Sequence, residues 1–171
     1  MFAAICYVAT NFRIEIPTPL GKTMIHCGNI FCLLSCLLMG GVRGGAANAI
    51  GLGLFDLLGG WASSAPSTIV MRFVMGFVGG SVAFKGGKEN RKLGWTIAGA
   101  VSGMVTYIVL YLGYSFLKGV ILGNAVETVL VDVGTKAITS SLSGVLSVVI
   151  ATLLYPVFRK ALAAAGYYKH R

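Results

Sequence analysis

The chain has 171 residues, of which 56% are hydrophobic and only 11% are charged, and its mean hydropathy is +0.83. Soluble domains carry roughly 25% charged residues, so this chain cannot cover a water-facing surface and is predicted to be an integral membrane protein. The net charge of +9 is interpreted mainly as a topology signal, with contact to anionic lipid secondary. Nucleic-acid binding is a poor interpretation, because no basic aromatic face lies outside the membrane.

Six apolar segments dominate the chain. A membrane helix needs about 20 apolar residues, so six spans with short connections would use nearly the whole chain. We predict an all-α membrane protein, in which 1–171 form a single six-transmembrane-helix bundle without a separate soluble domain. The predicted spans, in chain order, cover 2–16, 28–39, 43–58, 67–84, 93–116 and 135–158.

The connections between the spans differ in character. Pro17 and Pro19 end the first span, and the mixed segment 118–132 could fold back over the bundle. We expect the first span to be a membrane segment, because it lacks the basic region and the small-residue cleavage site of a signal peptide.

The four cysteines are expected to pack as small apolar residues. A metal site would need further ligands within reach, and only His26 offers one. The cysteines are Cys6, Cys27, Cys32 and Cys36.

Lysine and arginine are distributed unevenly between the two ends of the spans, which predicts that both termini are cytoplasmic. With that orientation nine lie on the inner side: Arg43, Lys85, Lys88, Arg91, Lys92, Arg159, Lys160, Lys169 and Arg171. Four lie on the outer side: Arg13, Lys22, Lys118 and Lys136.

This orientation places the ionisable side chains of the spans in the outer half. Charged groups cost at least about 2.5–3.5 kcal/mol at the centre of a membrane helix, and they usually face a cavity or a partner. Asp56 and Arg72 could contact a ligand, or they could simply pair and lock spans 3 and 4 together. The other candidate ligand-binding residues at this depth are His26, Asn29, Trp61, Tyr107, Tyr111 and Lys136.

Several of these candidates also have a purely structural interpretation. His26 precedes a helix, where a capping or solvated histidine is common, and Asn29 could be an N-cap. Trp61 and the tyrosines of span 5 could belong to an interfacial aromatic belt.

Small residues recur four positions apart along several spans, which lets helix backbones approach closely. Gly51-x-Gly53 is not a dinucleotide fingerprint, because the motif is incomplete and no strand precedes it. The spaced pairs are Gly40/Gly44, Gly41/Gly45, Ala47/Gly51, Gly76/Gly80 and Gly99/Gly103.

Catalytic motifs are missing from the sequence. The chain has two histidines, His26 and His170, and it contains neither an H-E-x-x-H motif nor a paired-aspartate motif. We therefore do not expect an enzyme.

Three neighbouring segments carry a family resemblance. They read I-P-T-P-L-G-K-T-M-I-H-C-G-N, then G-G-V-R-G-G-A-A-N-A-I-G-L-G-L-F-D-L-L-G-G-W, then A-P-S-T-I-V-M-R-F-V-M-G. Together they resemble the substrate-binding S component of energy-coupling factor (ECF) vitamin transporters. Within these the chain is similar to the branch for riboflavin, hydroxymethylpyrimidine or pyridoxine. The motifs cover 3–84, and the later spans match by length and spacing.

The resemblance implies a six-helix S component in the bacterial plasma membrane, which binds a vitamin near the outer face. It implies a membrane-embedded T component and two ATPase subunits as partners. These use ATP, whereas the chain needs no cofactor of its own, and the S component reorients in the membrane to deliver its ligand. By position, the site would draw on His26, Asn29, Asp56, Trp61 and Arg72.

The resemblance also suggests where the T component would dock. The expected positions are Ala3, Ala4, Ala9, Gly44 and Gly45, although the alanines do not keep the A-x-x-x-A spacing of the family.

A hydroxymethylpyrimidine or pyridoxine ligand suits an aspartate, a histidine, an asparagine and aromatic faces, and riboflavin is the nearest alternative. Outside this class, the main alternative is a structural or pore-forming protein that oligomerises through its glycine faces. A pore should carry polar residues through the full membrane thickness, and the inner halves of spans 4, 5 and 6 carry almost none.

Overall fold

The computed structural model describes residues 1–85 and 92–166. Six helices and one β-hairpin are found within them. Their bounds are α1 Phe2–Asn11, β1 Arg13–Thr18, β2 Gly21–His26, α2 Gly28–Met39, α3 Gly41–Leu58, α4 Ala65–Phe84, α5 Leu93–Ile121 and α6 Val126–Ala164. Five residues used in the sequence analysis lie outside the described residues: Lys88, Arg91, Lys169, His170 and Arg171.

Three of the described helices, α4, α5 and α6, are long and apolar enough to cross a membrane. Helices α1 and α2 are apolar but shorter. At 1.5 Å per residue, α6 with its 39 residues is about 58 Å long. It is therefore longer than the hydrocarbon core of a bilayer, about 30 Å thick.

The prediction of an all-α fold with a first span over 2–16 is wrong at the hairpin. Helix α1 ends at Asn11, and β1 pairs antiparallel with β2, with Arg13 opposite His26 and Pro17 opposite Lys22. Proline cannot donate to a helix ladder, and the alternation of 13–18 suits a strand. The hairpin turns at Pro19 and Leu20, and Gly21, which begins β2, has a φ of 148° that other residues rarely adopt.

The connection between the last two helices is also shorter than predicted. Helix α5 continues to Ile121 and α6 begins at Val126, so most of 118–132 is helical. Gly123, with a φ of 75°, lies in the turn between the two helices. Glu127 lies in the first turn of α6, where the helix dipole favours a negative charge. Of the polar residues in this segment, Lys118, Glu127, Thr128 and Asp132 lie in the helices, and Asn124 lies between them.

The small residues pack the helices closely, as the four-residue spacing predicts. A Cβ on Gly45 would lie 2.7 Å from the carbonyl oxygen of Phe73, and a Cβ on Gly76 would lie 2.6 Å from Cα of Gly45. Helices α3 and α4 therefore touch backbone to backbone.

The same contacts correct part of the docking prediction. Gly44 faces the backbone of Cys36 on α2, and Gly45 faces α4, so both are covered within the bundle. Ala9 is buried as well, whereas Ala4 is exposed and Ala3 is half-buried. Gly44 and Gly45, which were expected to contact a T component, therefore pack against other helices of the same chain.

The end of the bundle opposite the hairpin is apolar. Its core contains Phe2, Leu34, Leu37, Ala100 and Tyr155, all buried. Between this core and the hairpin end, the buried amide of Asn48 accepts a 2.6 Å hydrogen bond from Ser35 and donates to the carbonyl of Cys32. Hydrogen bonding offsets the cost of burying that amide.

Candidate ligand-binding cavity

A cavity of about 490 Å³ opens at the hairpin end of the bundle. Here α1, α3 and α5 end and α2, α4 and α6 begin, so the cavity collects side chains from every helix and from β2. All eight predicted ligand-binding residues line it: His26, Asn29, Asp56, Trp61, Arg72, Tyr107, Tyr111 and Lys136.

Asn29 ties three helices together at the floor of the cavity. Its Oδ1 accepts a 2.6 Å hydrogen bond from Nη1 of Arg72, and its Nδ2 donates to Oγ of Ser143 at 3.2 Å. The N-cap of α2 is Cys27, and no side chain caps this helix. The N-cap interpretation of Asn29 is therefore wrong, and its amide instead links α2 to α4 and α6.

Arg72 packs against an aromatic ring. Its guanidinium carbon lies 3.8 Å from the centroid of the Tyr107 ring, within cation–π distance. Tyr107 and Tyr111 stack with centroids 5.8 Å apart and an interplanar angle of 9°. The hydroxyl of Tyr111 lies 3.4 Å from that of Thr23 on β2. The two rings form one wall of the cavity and support the hairpin above it.

Asp56 and Arg72 do not pair with each other. The ion pairs within 4 Å between described residues are Arg13–Glu15, Lys22–Glu15 and Lys136–Asp132. Asp56 is 7% exposed in the last turn of α3, and its side chain interacts with that of Thr68. The interpretation that these two charges only lock spans 3 and 4 together is therefore wrong.

Lys136 is neutralised by a neighbour. Its Nζ lies 2.8 Å from Oδ2 of Asp132, and Oδ1 of Asp132 accepts a 3.2 Å hydrogen bond from the backbone N–H of Leu20. This arrangement attaches the hairpin tip to α6. The sequence analysis did not select Asp132, although its position four residues before a lysine on one helix face could have indicated the pair.

His26, the last residue of β2, is buried, with 8% of its surface exposed. Nη2 of Arg72 lies 3.4 Å from its Nε2. A guanidinium can only donate, so this contact assigns the proton of the neutral imidazole to Nδ1. Burial, then Arg72 and Arg13, lower the pKa of His26 from 6.5 to about 3. The imidazole is therefore neutral at physiological pH and does not act as a solvated surface group.

Hydroxyl groups line much of the remaining wall, and the sequence analysis did not select most of them. The loop after Trp61 and the first turn of α4 bring the first group, and α6 brings the second. They are Ser63, Ser64, Ser67, Thr68, Ser140 and Ser143. The run of serines and threonine directly after Trp61, in a largely apolar chain, was the available signal.

The described residues contain no group of three or more His, Cys, Asp or Glu side chains that could hold a metal ion. Cys6, Cys32 and Cys36 are fully buried, and Cys27 is exposed. The polar groups of the cavity suit an uncharged or dipolar organic ligand better than a metal ion.

One family model matches the chain over residues 1–163, and its description is "ECF-type riboflavin transporter, S component". Neither the comparison with curated proteins nor the comparison with solved structures finds a match.

Proposed function

The chain belongs to the S components of ECF-type transporters, and from this premise we propose that its cavity captures a vitamin at the outer face of the membrane. Such a component is the substrate-binding subunit of a transporter and not an enzyme, and it is a multi-pass protein of the plasma membrane. S components bind a vitamin and work with a T component and ATPases.

The observation that carries the proposal is the convergence of polar groups at one end of an otherwise apolar bundle. Buried Asn29, Asp56 and Arg72 come from three different helices, yet all line one cavity. Polar groups are costly inside a membrane protein unless they are satisfied or serve a function. A pore would carry such groups through its full length, whereas the opposite end of this bundle is an apolar core.

We further propose that 1–171 act as one unit whose six helices cross the membrane, with both termini in the cytoplasm. The excess of lysine and arginine in the segments predicted to be cytoplasmic supports this orientation. The cavity would then open to the outside, where a nutrient is first encountered.

Two ligand classes suit the cavity. A single-ring vitamin of the hydroxymethylpyrimidine or pyridoxine class suits the compact arrangement of Asp56, Asn29 and the Tyr107–Tyr111 wall. Riboflavin is the second candidate, because the family description names it and because the cavity of about 490 Å³ lies within the range of pockets for larger ligands, about 300–1,000 Å³.

For delivery, we propose that a T component and two ATPase subunits reorient the chain in the membrane. ATP would be used by those subunits, and the chain itself would bind no cofactor. Of the positions first expected to dock the T component, Ala3 and Ala4 remain accessible on α1.

The test is equilibrium binding to the purified chain in lipid nanodiscs, without ATP, of hydroxymethylpyrimidine, pyridoxine and riboflavin. We expect one of the three to bind tightly at one molecule per chain. Co-expression with a T component and ATPases should yield a complex that contains the chain. If none of the three binds and the chain conducts ions in liposomes, the pore-forming alternative is correct instead.

A further inference from the structure

Arg72 is a buried cation that no acidic side chain compensates. It is 2% exposed, and no carboxylate among the described residues lies within 4 Å of its guanidinium. Its Nη1 and Nη2 contact Asn29 and His26, and its Nε has no hydrogen-bond partner. The N–H of Nε therefore has no acceptor in an enclosed place.

All the groups around this guanidinium are neutral. They are the amide of Asn29, the uncharged ring of His26, the thioether of Met75 and the face of Tyr107. A buried charge is normally paired, because its removal from water costs several kcal/mol. The floor of the cavity therefore keeps a positive charge that this chain does not cancel.

Asp56, on the neighbouring wall, is a buried anion without a cationic partner among the described residues. It lines the same cavity, is 7% exposed and makes no ion pair with a described residue. The other cations of the cavity differ from Arg72, because Lys136 and Lys22 are paired with carboxylates and Lys118 is exposed at the mouth. One buried cation and one buried anion thus face a common space without touching.

From this arrangement we infer that the ligand is a zwitterionic heteroaromatic compound. The anionic oxygen attached to its ring approaches Arg72, and its protonated ring nitrogen approaches Asp56. The ring lies against the wall formed by Tyr107 and Tyr111. This inference rests on the proposed function and narrows its ligand class. A 3-hydroxypyridine has this charge distribution at neutral pH, whereas an aminopyrimidine and an isoalloxazine are uncharged. Charge-assisted hydrogen bonds to both groups select the dipolar ligand.

The first experiment compares pyridoxine with 3-O-methylpyridoxine on the wild-type chain in nanodiscs at pH 7.5. The methylated analogue keeps the ring and its oxygen but cannot form the anion, and without the anion its ring nitrogen is not protonated at this pH. We expect pyridoxine to bind about 10- to 100-fold more tightly than the analogue, at least the effect of one hydrogen bond between charged groups. We also expect it to bind more tightly than hydroxymethylpyrimidine or riboflavin.

The second experiment repeats the comparison with Arg72→Met and Arg72→Lys. Arg72→Met should bind both compounds with nearly equal affinity, and Arg72→Lys should keep part of the preference because it keeps the charge. Lys160→Met is the control, because it removes an exposed cation that does not line the cavity and should leave the preference unchanged. If Arg72→Met does not fold, the inference is still tested by the Arg72→Lys variant and by the comparison of the two ligands on the wild type.

Equal binding of pyridoxine and its methylated analogue by the wild type would overturn the inference. So would tighter binding of either uncharged vitamin, although vitamin capture itself would then stand. If none of the vitamins binds, the proposed function fails together with the inference.

Discussion

Nη1 of Arg72 donates a 2.6 Å hydrogen bond to Oδ1 of Asn29, which lies 43 positions earlier in the chain. The bond joins α4 to α2, and the same amide donates to Ser143 of α6. The floor of the cavity is therefore shared by three helices. A change at Asn29 should affect both the stability of the bundle and the charge that a ligand meets.

Asn29→Asp should separate these two effects. The new carboxylate would pair with Arg72 and cancel the free positive charge of the floor, so we expect ligand affinity to fall about 10-fold or more. The thermal unfolding temperature in detergent should stay the same or rise.

Asn29→Leu is the comparison for this prediction, because it leaves Arg72 without its acceptor. It should destabilise the protein by about 1–3 kcal/mol, the cost of an unsatisfied buried group. An Asn29→Asp protein that binds as tightly as the wild type would show that the charge of Arg72 does not act on the ligand.

Asp56→Asn should weaken ligand binding well beyond any loss of stability. The substitution keeps the shape of the side chain but removes a buried charge, so we expect an affinity loss of about 10-fold or more. Affinity and unfolding temperature should be measured on the same preparation. Glu127→Gln, at an exposed position outside the cavity, is the control. Equal affinity of Asp56→Asn and the wild type would remove Asp56 from the site.

Gly80→Ala should destabilise the contact between α3 and α4. Its Cβ would lie 2.6 Å from Cα of Gly41, a backbone atom that cannot move aside cheaply. We expect a cost of about 1–3 kcal/mol. Gly113→Ala in α5 is the matched control, because a Cβ there meets nothing within 4 Å. That substitution should stabilise the helix by about 0.5–1 kcal/mol. Equal unfolding temperatures for the two variants would contradict the packing described above.

His26 should make stability depend on pH. Its pKa in the folded protein is about 3, below the 6.5 of an unperturbed histidine, because it is buried beside Arg72 and opposite Arg13. The stability that comes from keeping the ring neutral is thus complete above pH 6.5 and declines as the pH falls towards 3.

The measurement is the unfolding temperature at pH 7.5 and at pH 5, compared between the wild type and His26→Gln. The wild type should lose more stability on acidification, since the carboxylates common to both proteins cancel in the comparison. An identical loss in the two proteins would contradict the burial of a neutral imidazole.

The residues selected from the sequence line one cavity, whereas some of the elements around them differ from the prediction. Asp56 and Arg72 were selected because ionisable groups are costly in apolar helices, and His26 and Asn29 were added because they are predicted to lie at the same depth. Which of these groups touch could not be predicted, because depth along a helix does not specify its rotation. Arg72 therefore contacts Asn29 and Tyr107, and not Asp56.

The hairpin and the ends of the last two helices differ from the prediction. The sequence predicts a first helix that continues to residue 16 and a connection over 118–132. One tertiary contact joins these two regions. Asp132 of α6 holds the backbone of Leu20 at the hairpin tip. Such a long-range contact leaves no periodic signal in the sequence.

Native mass spectrometry of the chain, purified gently from its membrane, tests the central claim most directly. We predict one small heteroaromatic molecule per chain, lost when Asp56 is replaced by asparagine and identifiable by its mass as one of the proposed vitamins. A chain that carries no small molecule, rebinds none of these vitamins and assembles into ion-conducting oligomers would contradict the account.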